Sequence, residues 1–370
     1  MEDYRLAEAR RTLIEPLLLW FRQTGRDLPW RRTYDPYHVW ISEIMLQQTQ
    51  MDRGVVYFQR WIARFPSVQA VAAADLQEIL KYWEGLGYYA RARNLHKAAR
   101  EIVEKYSGIV PCNSQQLLAL PGIGLYTAAA IASVAGNEDV ATVDANVMRV
   151  YARLFDLPLP LQETETKKRI AAMARDLLPS GRARLYNQAL MDLGGLVCLP
   201  KNPRCEDCPL AFHCRARQEG TVAERPVLGA KKKILTLQRV VAVINDEEGR
   251  IYIQQRRPDA LWGGLWEFPG GDLVDGRPEE AIVHHILDET GFRVRAVQPI
   301  TTVVHHYIRY KIILQAFFCK TLQRKPEVSL RSAVDYRWLS PREMSDFAFP
   351  AGSRKILEYM RATSPDFFAI

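Results

Sequence analysis

The sequence contains no apolar segment of 18 residues, which excludes a membrane-spanning helix. Its first residues, MEDYRLAEARR, are charged and lack the apolar run of a secretory signal, so a cytoplasmic protein is expected. Cysteine is scarce except in one place. Of six, four fall between Cys198 and Cys214, while Cys112 and Cys319 stand alone, a usage that suits a reducing compartment and not a disulfide framework. Internal repeats and low-complexity tracts are absent, which leaves an ordinary globular chain. Its 370 residues are enough for two or three domains, and 48% hydrophobic with 25% charged residues is a normal soluble composition. The net charge of +8 suits a polyanionic partner.

The first part of the chain reads as helical. Leu6, Leu13, Ile14, Leu17, Leu18 and Phe21 form a stripe of helical period. Further helices are expected over about 36–49, 61–82, 147–154, 164–178 and 184–196. Between the first two, Arg26, Trp30 and Arg31 lie in a polar loop able to meet phosphates or a base face, or else form a solvated turn. Leu86 and Tyr88 sit in Gly85-Leu86-Gly87-Tyr88-Tyr89, which reads equally as a wedge or as a helix cap.

The stretch 117–150 organises this part. It breaks at Pro121-Gly122-Ile123-Gly124, where two glycines allow a tight hairpin with positive φ, and an Ala-rich helix restarts near Tyr126. The free N–H groups at that helix start form a phosphate site. Asp144 stands just ahead of another helix. Alone, the hairpin is a turn and the Asp an N-cap. Glu43 changes the weighting: its helical neighbours Val39, Trp40 and Leu46 are apolar, where a charge is expensive and a carboxyl pKa rises.

Cys198-x6-Cys205-x2-Cys208-x5-Cys214 places four thiolates in seventeen residues, a donor set for a [4Fe–4S] cluster or for zinc. Lys201 and Arg204 lie in its first loop. From Gly220 to Leu237 the periodicity lapses around Pro226, Gly229 and Lys231-Lys232-Lys233, which reads as a linker. Beyond it, strands at 240–244, 251–255, 294–304, 307–319 and 334–338 surround a helix at 279–289.

LPGIGLYTA followed by VDANV resembles the helix-hairpin-helix DNA glycosylases of the endonuclease III superfamily and, within it, the MutY adenine glycosylases. The cysteine spacing is similar to the iron–sulfur loop of those families, so the resemblance implies a [4Fe–4S] cluster that shapes a DNA-binding loop. GGLWEFPGG, with the helix ending Asp288-Glu289-Thr290-Gly291, resembles a Nudix domain. Nudix hydrolases need a carboxylate-rich helix for magnesium, but here Gly276, His284 and His285 stand where Glu, Arg and Glu belong. A non-hydrolytic recognition module is therefore expected.

The implied fold is an all-α helix-hairpin-helix glycosylase domain over 1–219, including the cluster loop 198–214. A linker at 220–237 and an α+β Nudix-like domain over 238–370 follow. The implied activity is monofunctional excision of adenine opposite 8-oxoguanine or guanine in duplex DNA, by a monomer. Glu43 protonates the base, Asp144 stabilises the sugar cation, and Tyr126 and Asn146 hold the two carboxylates. Tyr126 occupies the place of the lysine that gives relatives a lyase activity. By the same resemblance Arg26, Trp30, Arg31 and Gln188 surround the adenine. Gln48, Thr49, Leu86 and Tyr88 surround its partner base, and Gly122, Gly124, Lys201 and Arg204 meet the backbone. At the hairpin where many relatives carry Phe-Ser-His, this chain has Tyr307-Ile308-Arg309, which weakens the expected reading of 8-oxoguanine. The competing readings are a thymine or uracil mismatch glycosylase, a nucleotide pyrophosphohydrolase, and a non-catalytic iron–sulfur DNA-binding protein.

Overall fold

Leu13, Ile14, Leu17, Leu18 and Phe21 form one buried stripe on the helix Glu2–Thr24, the face that a 3.6-residue turn collects. They pack with Val147, Val150, Tyr151 and Leu154 of the helix Ala145–Leu154 and with Tyr186, Leu190 and Leu193 of Ala183–Leu196. The computed structural model describes residues 2–229, 234–274, 276–307, 309–323 and 327–364, with side chains from Thr12 onward. Leu6 as a side chain, the lysines 231–233 and Ile308 therefore lie outside the described residues. Among the described residues no helix is long and apolar enough to cross a membrane.

The hairpin joins Ser114–Leu118 to Leu125–Gly136. Gly122 has φ 78° and faces Asn94 so closely that a Cβ would come within 2.6 Å of it. Gly124 does not share that requirement: with φ −91° and ψ 177° it is an extended N-cap. Gly122 alone uses the left-handed freedom that the two glycines allow, because a single reversal already turns the chain and the second residue only has to enter the helix. Ile123 is buried, as a plug should be. The next helix buries Ala128, Ala129, Ala130 and Ala132, whose small side chains allow close helix packing.

The remaining strands build one mixed sheet. Strands β1 (Leu235–Asn245), β2 (Ile251–Arg256), β3 (Trp266–Glu267), β4 (Gly270–Asp272), β5 (Val294–Tyr307), β6 (Tyr310–Thr321) and β7 (Ala333–Leu339) run in the order β3-β2-β1-β6-β5, with β4 on β1 and β7 on β2. Among the described strands, only β1 and β6 pair in parallel. Alternation decides the two faces. Val240, Ala242 and Ile244 pack with Ile282 and Ile286 of the helix Pro278–Thr290, while Val241 and Val243 pack with Ile356, Leu357 and Met360 of Ala351–Thr363.

Contacts divide the chain into two units, and not in chain order. One is helical and comprises the residues up to Ala73 and again from Asn94; the other joins Ala74–Arg93 to the sheet region. Gln77 shows why. It accepts from Trp266 Nε1 at 3.0 Å and donates to the Gly264 carbonyl at 3.1 Å. The expected linker is also shorter than its composition suggests. β1 begins at Leu235, and before it Thr221 donates to Asp156 at 2.7 Å and the Gly229 N–H to Gln162 at 2.8 Å.

Candidate active site

Asp35 caps the helix Pro36–Leu46, accepting from the N–H groups of Tyr37 at 2.9 Å and His38 at 3.1 Å. On that helix Val39 and Trp40 are wholly buried, which fixes the rotation that turns Glu43 into a cleft. The helix ends at Leu46, before the expected Thr49, and Gln48 adopts φ 59°, a left-handed conformation uncommon outside glycine. The cleft has a volume of about 490 Å³. Glu43, Tyr126, Asp144 and Asn146 line it, together with Arg26, Trp30, Arg31, Gln48, Thr49 and Gln188. Ten of the expected residues thus meet in one place.

The two carboxyls are treated differently. Asp144 is the N-cap of Ala145–Leu154; one oxygen accepts from the Val147 N–H at 2.7 Å and the other from Asn146 Nδ2 at 2.8 Å, an acceptor-only pattern that suits a carboxylate. Glu43 has no such network. Burial first, and the charge of Asp144 second, raise its pKa from 4.5 to about 7, against smaller opposing effects of Tyr126 and Arg31. The Tyr126 hydroxyl donates to Glu43 Oε2 at 3.4 Å. Burial, then the nearby carboxyls, push that phenol far above its ordinary value, so it remains a neutral donor. One carboxylic acid near neutrality opposite one engaged carboxylate is the division of labour that glycosidic cleavage uses.

Trp30 is buried edge-on against Phe58 at 5.0 Å, so the loop 26–32 is not a solvated turn at that point. Gln188 is buried too. Its amide nitrogen donates to the Arg184 carbonyl at 2.9 Å, which can only accept, and its oxygen has no partner among the described residues. An acceptor is therefore left over at the cleft wall.

Cys198, Cys205, Cys208 and Cys214 line a single apolar cavity with Arg153 and Arg217. Arg153 donates to Cys198 Sγ at 3.4 Å. Burial pushes the Cys208 thiol up to about 12, so it becomes a thiolate only when a cationic group binds it. Among the described residues no three His, Cys, Asp or Glu side chains converge on a single-ion site. Four sulfurs around one cavity fit a multi-atom cluster. Lys201 and Arg204 are both exposed, and Arg204 donates to the Leu196 carbonyl.

Comparison with known proteins follows this geometry. Residues 41–180 match the HhH-GPD superfamily of base excision DNA repair proteins, 198–214 the iron–sulfur binding domain of endonuclease III, and 240–359 the NUDIX domain. The chain is 30% identical to the human adenine DNA glycosylase over 94% of its own length and 74% of the human chain. It is 30% identical to an adenine DNA glycosylase of Buchnera aphidicola from Schizaphis graminum, over 93% of this chain and 97% of that one. The chain belongs to the adenine DNA glycosylase family. A thermostable thymine-DNA glycosylase is 31% identical, with a TM-score of 0.53, over 58% of this chain and 98% of its own. With these matches the family's two-part architecture is shown, and residues 198–214, which contain the four cysteines, match its iron–sulfur loop.

Not every expected residue lies in the cleft. Leu86, Tyr88, Tyr307 and Arg309 belong to the other unit, and Leu86 is buried there. Arg309 folds back over the Tyr310 ring at 5.4 Å. On the helix Pro278–Thr290, Asp288 lies 3.5 Å from His284 and Glu289 accepts from Ser332.

Two residues bonded to the side chains of the cleft escaped the sequence reading. Asp192 has no exposed side chain and accepts from Arg26 Nε at 3.0 Å and from both terminal nitrogens of Arg31 at 2.7 and 2.9 Å. It lies between Leu190 and Leu193, and the argument that singled out Glu43, a carboxyl on an apolar face, applies to it equally. Arg149 donates to Asn146 Oδ1 at 2.8 Å, the Cys198 carbonyl at 2.8 Å and the Gly194 carbonyl at 2.7 Å. No local pattern foretells that bridge, because its two carbonyl partners lie 45 and 49 residues away.

Proposed function

We propose that this chain excises adenine paired with 8-oxoguanine or guanine from duplex DNA, within base excision repair and without cutting the strand. The observation that carries the reading is a carboxylic acid with a pKa of about 7, Glu43, sharing one cleft with the hydrogen-bonded carboxylate of Asp144. A base inside a duplex cannot reach this cleft, so the adenine must first leave the stack. Glu43 then gives its proton to N7 of the adenine. The C1′–N9 bond breaks with its electron pair leaving on the base, and the cation that develops on the sugar faces Asp144. The ionised Glu43 next takes a proton from the attacking water, which regenerates the acid. Tyr126, hydrogen-bonded to Glu43, keeps the acid in place.

Gln188 supports the choice of base. Its free oxygen accepts from the exocyclic amine of adenine, where guanine would present a carbonyl and repel it. A bound [4Fe–4S] cluster supplies no chemistry to this step; it holds the loop 198–214 and, through it, Lys201 at the surface. On the other unit, Tyr307 and Arg309 replace the Phe and His of many relatives. Arg309 suits phosphate more than a base edge, so it adds affinity with little discrimination. The preference for 8-oxoguanine over guanine therefore rests more on Gln48, Thr49 and Tyr88.

A second reading, removal of thymine, draws on the thymine-DNA glycosylase likeness, but that likeness spans only 58% of the chain. Duplexes carrying A, T or U opposite G or 8-oxoguanine separate the readings. Adenine release, with nicks only after alkali and no borohydride-trapped adduct, is the expected result. Release of thymine, or efficient trapping, would overturn it.

A further inference from the structure

The loop Gly85–Tyr89 is conformationally expensive and is held from the sheet region. Gly85 and Gly87 have φ 96° and 71°, and Tyr88 sits at φ 47°, where a side chain is disfavoured. Three anchors fix the loop's ends. Glu84 pairs with Arg354 at 2.6 Å, Tyr89 donates to the Phe349 carbonyl at 3.2 Å, and Arg93 donates to the Gly263 carbonyl at 2.7 Å. Between them the Tyr88 ring leans on the ring of Tyr307, centroids 5.6 Å apart at 37°. Tyr307 in turn meets Trp262 edge-on at 5.4 Å. All three rings are half-buried, so one side of the row stays open to solvent.

We propose that Tyr307 and Trp262 are positioning residues for Tyr88, so that the Nudix-like unit shares in telling 8-oxoguanine from guanine by holding this ring. The idea rests on the reading, given above, that Tyr88 touches the partner base. The anchors secure the fold of the loop, and the Arg91 guanidinium lies over the Tyr88 ring at 5.7 Å, which leaves Tyr307 as the aromatic support of that ring. Left alone, a tyrosine side chain samples several rotamers. With Tyr307 behind it the ring is confined before DNA arrives, and the cost of ordering it on binding falls. The Tyr307 ring, committed to this contact, serves as a support, which accounts for a large aromatic at the hairpin whose tip differs from that of many relatives.

The test is a double-mutant cycle in a Glu43→Gln background, where the duplex survives and binding can be measured alone. Tyr88→Ala, Tyr307→Ala, Trp262→Ala, Tyr307→Phe and the Tyr88→Ala/Tyr307→Ala pair are titrated with A:8-oxoguanine and A:G duplexes. Tyr307→Ala should lower the preference for 8-oxoguanine roughly three- to tenfold, the worth of one aromatic pair. Tyr307→Phe should restore it, and Tyr307→Ala should cost nothing further once Tyr88 is alanine. If Tyr307→Ala folds poorly, Tyr307→Leu is read in the same way. Should Tyr88→Ala leave both affinities unchanged, the reading of Tyr88 itself fails. Should Tyr88→Ala weaken binding while Tyr307→Ala does not, or should the two losses simply add, the positioning role is wrong.

Discussion

Asp192 takes both terminal nitrogens of Arg31, at 2.7 and 2.9 Å, from a position without solvent exposure. Burial works against its ionised form, yet the bonds from Arg31 and Arg26 outweigh it and hold the carboxyl below its ordinary pKa. The carboxylate thereby balances the charge of Arg31, which acts to lower the pKa of Glu43.

Asp192→Asn tests this relationship. The amide cannot balance Arg31, so the freed charge lowers the pKa of Glu43, and the pH above which activity fails moves down. Each unit of that shift costs about tenfold in rate on the alkaline side. A pH profile of single-turnover adenine release that keeps the wild-type limb would rule the electrostatic role out.

Arg149 bridges Asn146, and through it Asp144, to the carbonyl of Cys198. Arg149→Gln should slow base release by roughly 10- to 100-fold, the usual cost of removing a partner that orients a site. Iron per protein is measured alongside. An unchanged rate would show that Asn146 holds Asp144 unaided.

Cys205→Ser should lose iron and weaken DNA binding together, because the loop carrying Lys201 is shaped by the ligands on either side of it. The wild-type protein should be yellow-brown and contain iron. Stoichiometric zinc in a colourless protein, purified without air, would contradict the cluster.

Short-range patterns were the legible part of this chain. Glu43 declared itself through Val39, Trp40 and Leu46, and the cysteines through spacing, because a helix face and a ligand loop are both written in neighbouring residues. The hairpin's glycines left open which of them turns the chain, because glycine permits a positive φ without requiring it. The attachment of Ala74–Arg93 to the sheet region was invisible for another reason. Gln77, Glu84 and Arg93 look like ordinary solvated helix residues until Trp266, Arg354 and Gly263 arrive from more than 150 positions later. Asp192 sits between these cases: its apolar setting was readable, but its two arginine partners were not.

The central claim is that Glu43 is the acid. The most direct measurement is the single-turnover rate of adenine release between pH 5.5 and 9, with Glu43→Gln beside the wild type. A folded pKa of about 7 predicts a rate that holds below that pH and falls about tenfold per unit above it. Glu43→Gln should release no adenine while binding the duplex within about threefold of wild type, since the amide keeps the shape and loses only the proton it could give. A rate that stays flat through pH 9, or turnover by Glu43→Gln, would contradict the account.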